Sequence, residues 1–153
     1  MNVNTRKRLD KRVERHSLEE LFRMIKETDM DDAKQKHLMK QIPQAVAAVT
    51  DELRHNAQTI LGDKLRKIIL YGSYARGDYK EYSDLDIMVL ADYNESEESG
   101  LQEAIYKISS HASLEYDITV SMYLNNESLF KSRLHISPYY RNIISEGVEL
   151  HGT

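Results

Sequence analysis

Two aspartates separated by one residue, Asp84 and Asp86, follow a Gly72-Ser73 pair after ten intervening residues, in the stretch GSYARGDYKEYSDLDIMV. In extended backbone, side chains at i and i+2 project to one side, so Asp84 and Asp86 can share a face while Leu85, Ile87 and Val89 point into a core. One strand can then present two carboxylates and anchor itself. Such a pair suits a divalent cation: Mg²⁺ prefers oxygen ligands and commonly joins protein carboxylates to substrate phosphates. A two-metal arrangement can also stabilise the attacking and leaving oxygens of a displacement. Asp117, in EYDITV, could add a third carboxylate from the polar face of another strand. Glycine allows close backbone approach, so the Gly72-Ser73 turn can bring amide donors and a hydroxyl to nucleotide phosphates. Arg76 offers a rigid fork for bidentate phosphate contact, or equally a partner for Asp78, Glu81 or another surface carboxylate. Aspartates at this spacing also occur at strand ends and turns with no chemical duty, so both readings stay open at this point.

The elements around these residues can be read from periodicity. KIILYGS reads as a buried strand entering a glycine turn, and DLDIMVLA as a second strand. A third is expected from about Leu114 to Met122, with Tyr116, Ile118, Val120 and Met122 on one face and Glu115, Asp117, Thr119 and Ser121 on the other. Leu101, Ala104, Ile105 and Ile108 mark an amphipathic helix after the polar stretch 93–100. A short helix is expected near Asn126 to Leu134, and Ser137-Pro138 reads as the cap and first turn of another that continues to Gly147. Upstream, Ser17 and Glu20 form a capping-box pattern ahead of a stripe of Leu18, Leu21, Phe22 and Ile25. A second helix is expected from about Asp31 to Gln41, and a third from Pro43 to near Leu61, with Val46, Val49, Leu53, Ala57 and Ile60 as its apolar face and Gly62 as its stop. The expected division is a helical extension over 1–61 and a catalytic candidate over 62–153. The extension could form a dimer interface, recognise a partner or complete the fold.

Composition narrows the classes. With 153 residues and 41% hydrophobic positions, one domain of this length buries roughly 68% of its unfolded surface without a staple. The expectation is a single compact domain with an extension, not a large polymerase. The formal charge of −4 offers no global attraction to nucleic acid and disfavours direct nucleic-acid binding, although residues 6–15, RKRLDKRVER, form a local basic run that reads as a solvated face. The absence of cysteine excludes a disulfide framework, a thiolate nucleophile and a cysteine zinc site. The six histidines form no compact zinc signature, and there is no Walker A sequence. Tyr74, Tyr79 and Tyr82 read as structural or rim residues. No stretch approaches the roughly 18–20 apolar residues of a membrane span, and the basic start lacks the apolar block of a secretory signal. No membrane association and a cytoplasmic location are therefore expected.

The stretch GSYARGDYKEYSDLDIMV resembles the nucleotidyltransferase superfamily that includes polymerase beta and the small minimal nucleotidyltransferases. Gly72, Ser73, Asp84 and Asp86 match its defining pattern, Arg76 and Gly77 its common continuation, and Ser83 the Ser-Asp-hydrophobic-Asp form. The resemblance covers about 62–153 and implies a polymerase beta-like α/β (α+β) fold, a mixed sheet flanked by helices, here with an N-terminal helical extension. It further implies Asp84 and Asp86 as Mg²⁺ ligands, Asp117 as the third acidic residue, and Gly72, Ser73 and Arg76 as the phosphate-binding set. Attack at the α-phosphorus of ATP would release pyrophosphate. The small size and the ending SPYYRNIISEGVELHG resemble antitoxins of HEPN-domain toxins, which implies AMP transfer from ATP to a tyrosine of such a partner. A small-molecule nucleotidyltransferase and a noncatalytic protein-binding module are the alternatives, and a homo-oligomer is a further expectation.

Overall fold

The computed structural model of the protein describes residues 32–152. The basic run and the Leu18 to Ile25 stripe lie outside the described residues. Helix α1 (Asp32–Leu61) is followed by a 3₁₀ turn (Gly62–Lys64), β1 (Leu65–Tyr71), the one-turn α2 (Ser73–Arg76) and β2 (Leu85–Ala91). Then come α3 (Glu95–Tyr116), β3 (Val120–Asn126), α4 (Glu127–Arg133), α5 (Pro138–Glu146) and β4 (Val148–Gly152). The four strands form one mixed sheet in the order β3-β2-β1-β4, with β1 antiparallel to both β2 and β4 and β3 parallel to β2. The expected mixed sheet flanked by helices is what the chain forms.

Alternation along β2 feeds two cores. Leu85, Ile87, Val89 and Ala91 join Ile68 and Leu70 of β1 in the larger core, which is closed by Val49, Leu53 and Ala57 of α1 and Ile105, Ile108 and Ala112 of α3. Met88 and Leu90 face the other way and meet Ile69, Tyr71, Phe130 of α4 and Ile143 of α5. The sheet is therefore covered on both faces, and the larger core extends across position 61 into α1. Gln58 of α1 also meets His151 of β4, Nε2 to Nδ1 at 2.8 Å, and the Tyr116 hydroxyl of α3 donates to Glu52.

Several boundaries differ from the sequence-based expectation. The two helices expected on either side of residue 42 are one: α1 passes through Pro43 unbroken over 30 residues, although an interior proline removes a backbone donor and crowds the preceding turn. The buried stripe of α1 closes on Leu61, at 3% exposure, and not on Ile60, at 40%; four residues after Ala57 the helix has turned only about 40° past the same direction, whereas three residues leave it about 60° short. The strand expected at Leu114–Met122 begins at Val120, six residues late. The reason is that Ala112 extends the stripe of Ile105 and Ile108 by another helical turn, and the alternation Tyr116, Ile118, Val120 belongs only in part to a strand. Asp117 is thus the residue that stops α3: it adopts a left-handed φ of 54° and its amide donates to the Ser113 carbonyl. Strand β4 was not anticipated; its short sequence VELHG carries little periodic signal. Among the described residues, no helix is long and apolar enough to cross a membrane.

Candidate active site

Strand β1 ends at Tyr71, whose register partner on β2 is Asp86. The chain then reverses through Gly72 at φ 74° and Gly77 at φ 86°, values that L side chains rarely adopt. Between them lies α2, held by the amides of Ala75 and Arg76 on the Gly72 carbonyl, both at 3.1 Å, and by Gly77 on the Ser73 carbonyl at 2.9 Å. Gly72 is required for a second reason. A Cβ there would stand 2.5 Å from Asp86 Oδ2, so the bare backbone is what lets the turn lie against this carboxylate.

Asp86 opens into a cavity of about 360 Å³ framed by Tyr71, Gly72, Ser73 and Arg76 on one side and by Tyr139, Asn142, Ile143 and Glu146 of α5 on the other. Its carboxyl is held above the usual aspartate range, first by burial and then by the charge of Asp84, while Arg76 pulls it down. The two aspartates therefore feel each other, as the i, i+2 spacing implies. Arg76 is engaged with carboxylates in this structure: Nε meets Asp78 at 3.3 Å and Nη1 meets Glu146 at 3.2 Å. That is one of its two expected partnerships. Tyr71 is buried, its hydroxyl lies 2.9 Å from that of Tyr139, and burial foremost, then the Tyr139 bond, drives its pKa upward. Tyr74 packs into the larger core and stacks on Tyr79 at 4.7 Å between ring centres. Its hydroxyl is pushed up to about 12 by burial, with Tyr79 and Asp84 adding to the effect.

Gly72, Ser73, Arg76 and Asp86 are thus brought together, with Asp84 two residues before Asp86. Asp117 is not. It lines a separate cavity of about 360 Å³ with Tyr74, Tyr82, Ser83, Ser113 and Thr119. Among the described residues, no three His, Cys, Asp or Glu side chains stand close enough together to hold a metal ion. A half-buried Asp86 carboxylate with Asp84 two residues away, beneath a glycine that keeps space open over one of its oxygens, still fits a divalent cation whose remaining ligands come from phosphates. Sequence reasoning missed the α5 contribution. Tyr139, Asn142, Ile143 and Glu146 fall at i, i+3, i+4 and i+7, one helix face, and the signal was the polar company that buried Ile143 keeps on that face.

Residues 51–150 match the family described as the nucleotidyltransferase domain. Among curated relatives, the Methanocaldococcus jannaschii protein named "Putative protein adenylyltransferase MJ0141" is 43% identical over 76 residues, covering 50% of this chain and 75% of that protein. "Putative protein adenylyltransferase MJ0604" of the same organism is 33% identical over 88 residues, covering 58% of this chain and 80% of the relative. A solved toxin-antitoxin structure with AMP-PNP aligns at 22% identity and a TM-score of 0.43, over 66% of this chain and 72% of that one. The family match runs from the last turns of α1 into β4 and takes in every element that frames the Asp86 cavity; on that extent the chain belongs to the nucleotidyltransferase domain family.

Proposed function

We propose that this nucleotidyltransferase is a cytoplasmic protein adenylyltransferase that transfers AMP from ATP to a tyrosine of a HEPN-domain toxin and so acts as its antitoxin. The observation that carries the reading is the 43% identity to a relative named for protein adenylylation, over three quarters of that relative's length. The HEPN partner rests on the resemblance of residues 62–153 to minimal nucleotidyltransferase antitoxins.

In this reading Asp84 and Asp86 would hold Mg²⁺, which when bound would supply charge neutralisation for the phosphates and the leaving pyrophosphate. Asp117, from its separate cavity, is not assigned to that set. Gly72 keeps the turn close to the Asp86 carboxylate, and Ser73 presents its hydroxyl at the same cavity. Arg76 exchanges one of its carboxylate partners for a phosphate, a substitution its exposed position permits at small cost. The acceptor phenol oxygen forms the new bond to the α-phosphorus, the bond from that phosphorus to the bridging oxygen breaks, pyrophosphate leaves and the phenolic proton passes to solvent. Orientation and electrostatic support carry the acceleration, since the protein forms no covalent bond of its own.

The test is incubation of the full chain with Mg²⁺, α-phosphate-labelled ATP and host lysate, followed by mass analysis of labelled products. The expected product is a tyrosine-linked AMP on a partner protein, absent with Asp86→Asn. Label on a small molecule would replace this reading with small-molecule transfer, and no labelled product from ATP would overturn adenylylation in favour of another nucleotide donor or a noncatalytic binding module.

A further inference from the structure

The parallel register of β2 and β3 places Ser121 directly opposite Asp86. Partners in register project to the same face of a sheet, and neighbouring strands lie about 4.8 Å apart. The face is fixed independently by burial. Val120, Met122 and Leu124 of β3 enter the larger core with Leu85, Ile87 and Val89 of β2, so Ser121 and Asp86, which alternate with them, both face the side of the sheet that α4 and α5 cover. Ser121 is half-buried there. Across β1, β2 and β3, one row therefore reads Tyr71, Asp86, Ser121, and the Tyr71 hydroxyl at one end is already committed to Tyr139.

We propose that Ser121 supplies the third protein oxygen of the metal site, at the place on the neighbouring strand where a third carboxylate was expected from Asp117. The proposal rests on the reading of Asp84 and Asp86 as metal ligands. A cation bound to Asp86 at about 2.1 Å, as Mg²⁺ binds oxygen, lies within reach of a hydroxyl on the adjoining strand. A neutral hydroxyl in this position leaves the site with two protein carboxylates, so it depends more heavily on the nucleotide's phosphates for charge than a three-carboxylate site would. Metal and nucleotide then bind cooperatively.

The test is Mn²⁺ binding by the full-length chain, followed by electron paramagnetic resonance with and without a non-hydrolysable ATP analogue. Wild type, Ser121→Ala, Ser121→Thr, Ser121→Asp, Asp117→Asn and Asp86→Asn are compared, each first shown to be folded by circular dichroism. With the analogue present, Ser121→Ala is expected to weaken Mn²⁺ binding by about tenfold, the scale on which supporting groups tune metal sites, and Ser121→Thr to restore it. Ser121→Asp is expected to tighten binding at least about tenfold and to reduce its dependence on the analogue, because affinity follows ligand charge. Asp117→Asn should bind as wild type does. Unchanged binding in both Ser121→Ala and Ser121→Asp, with binding lost in Asp86→Asn, would overturn the Ser121 assignment and leave the metal reading standing. Weakened binding in Asp117→Asn would overturn it in favour of Asp117. Equal binding by wild type and Asp86→Asn would overturn the metal reading itself, and Ser121 with it.

Discussion

At Asp86 the demands of folding and of chemistry oppose each other. Burial and Asp84 raise its pKa, so the folded chain holds this proton more tightly than the unfolded chain. By linkage, the stability this contributes is fully present below the ordinary aspartate pKa and is lost as pH rises through the raised value. Ionised Asp86 therefore costs stability at neutral pH, where metal binding needs it ionised. Asp86→Asn should raise the urea midpoint at pH 7 and flatten its dependence on acid pH, and Mg²⁺ with an ATP analogue should stabilise wild type but not the variant. A variant less stable than wild type at pH 7 would contradict this electrostatic account. Gly72 is a second case. Gly72→Ala combines a left-handed φ of 74° with a Cβ placed 2.5 Å from Asp86 Oδ2, and should cost about 1–3 kcal/mol in urea unfolding while lowering metal affinity, because Asp86 must move. The shared side of the doublet was legible in sequence because i, i+2 spacing fixes it locally, and Gly72 was legible as a turn; that the turn lies against Asp86 is set by the pairing of β1 with β2. Asp117 was not, since its position depended on where α3 stops, and a left-handed aspartate ended that helix in place of the expected strand.

The elements that frame the cavity carry their own stop and start signals, and these account for most of what could be read in advance. Gly62 after Leu61, Asn126 before α4 and Pro138 in the first turn of α5 each mark a boundary by local chemistry, although the Ser137 side chain, expected as a cap, makes no capping hydrogen bond. Asn126 does this by accepting from the Ser128 and Leu129 amides at 3.0 and 3.3 Å, and its Nδ2 also donates to the Tyr93 carbonyl at 2.9 Å. Asn126→Ala should therefore lower stability by about 1–2 kcal/mol in chemical denaturation, with Asn126→Asp intermediate, because it keeps the cap and loses only the donor to Tyr93. Equal stability of Asn126→Asp and Asn126→Ala would show that the cap contributes nothing. What local chemistry did not disclose was pairing. That β4 returns to β1, and that α5 therefore lies over Tyr71 and Asp86, is a long-range outcome of covering Ile69, Tyr71, Met88 and Leu90 with Ile143 and Phe130.

Over the whole molecule, the question is whether α1 is an appendage or a wall of the domain. The sheet face formed by Ile68, Leu70, Leu85, Ile87 and Val89 is closed jointly by α1 and α3, and Val49, Leu53 and Ala57 of α1 are completely buried against it. The change from helical to strand pattern at Gly62 suggested an extension ending at residue 61, one that could form an interface, recognise a partner or complete the fold. The packing makes the second half of α1 part of the fold that holds the site. Leu53→Ala should accordingly cost about 2–5 kcal/mol, the usual range for a buried leucine, measured by urea unfolding. A fragment beginning at residue 62 keeps every residue proposed for catalysis, yet it leaves one wall of the larger core facing water. It should lack a cooperative unfolding transition, bind hydrophobic dyes and fail to bind Mn²⁺ with an ATP analogue, whereas the whole chain should unfold cooperatively, exclude such dyes and bind Mn²⁺. A cooperative transition in the shorter fragment would mean that α3 alone suffices to close the sheet, and that α1 serves a surface rather than the core.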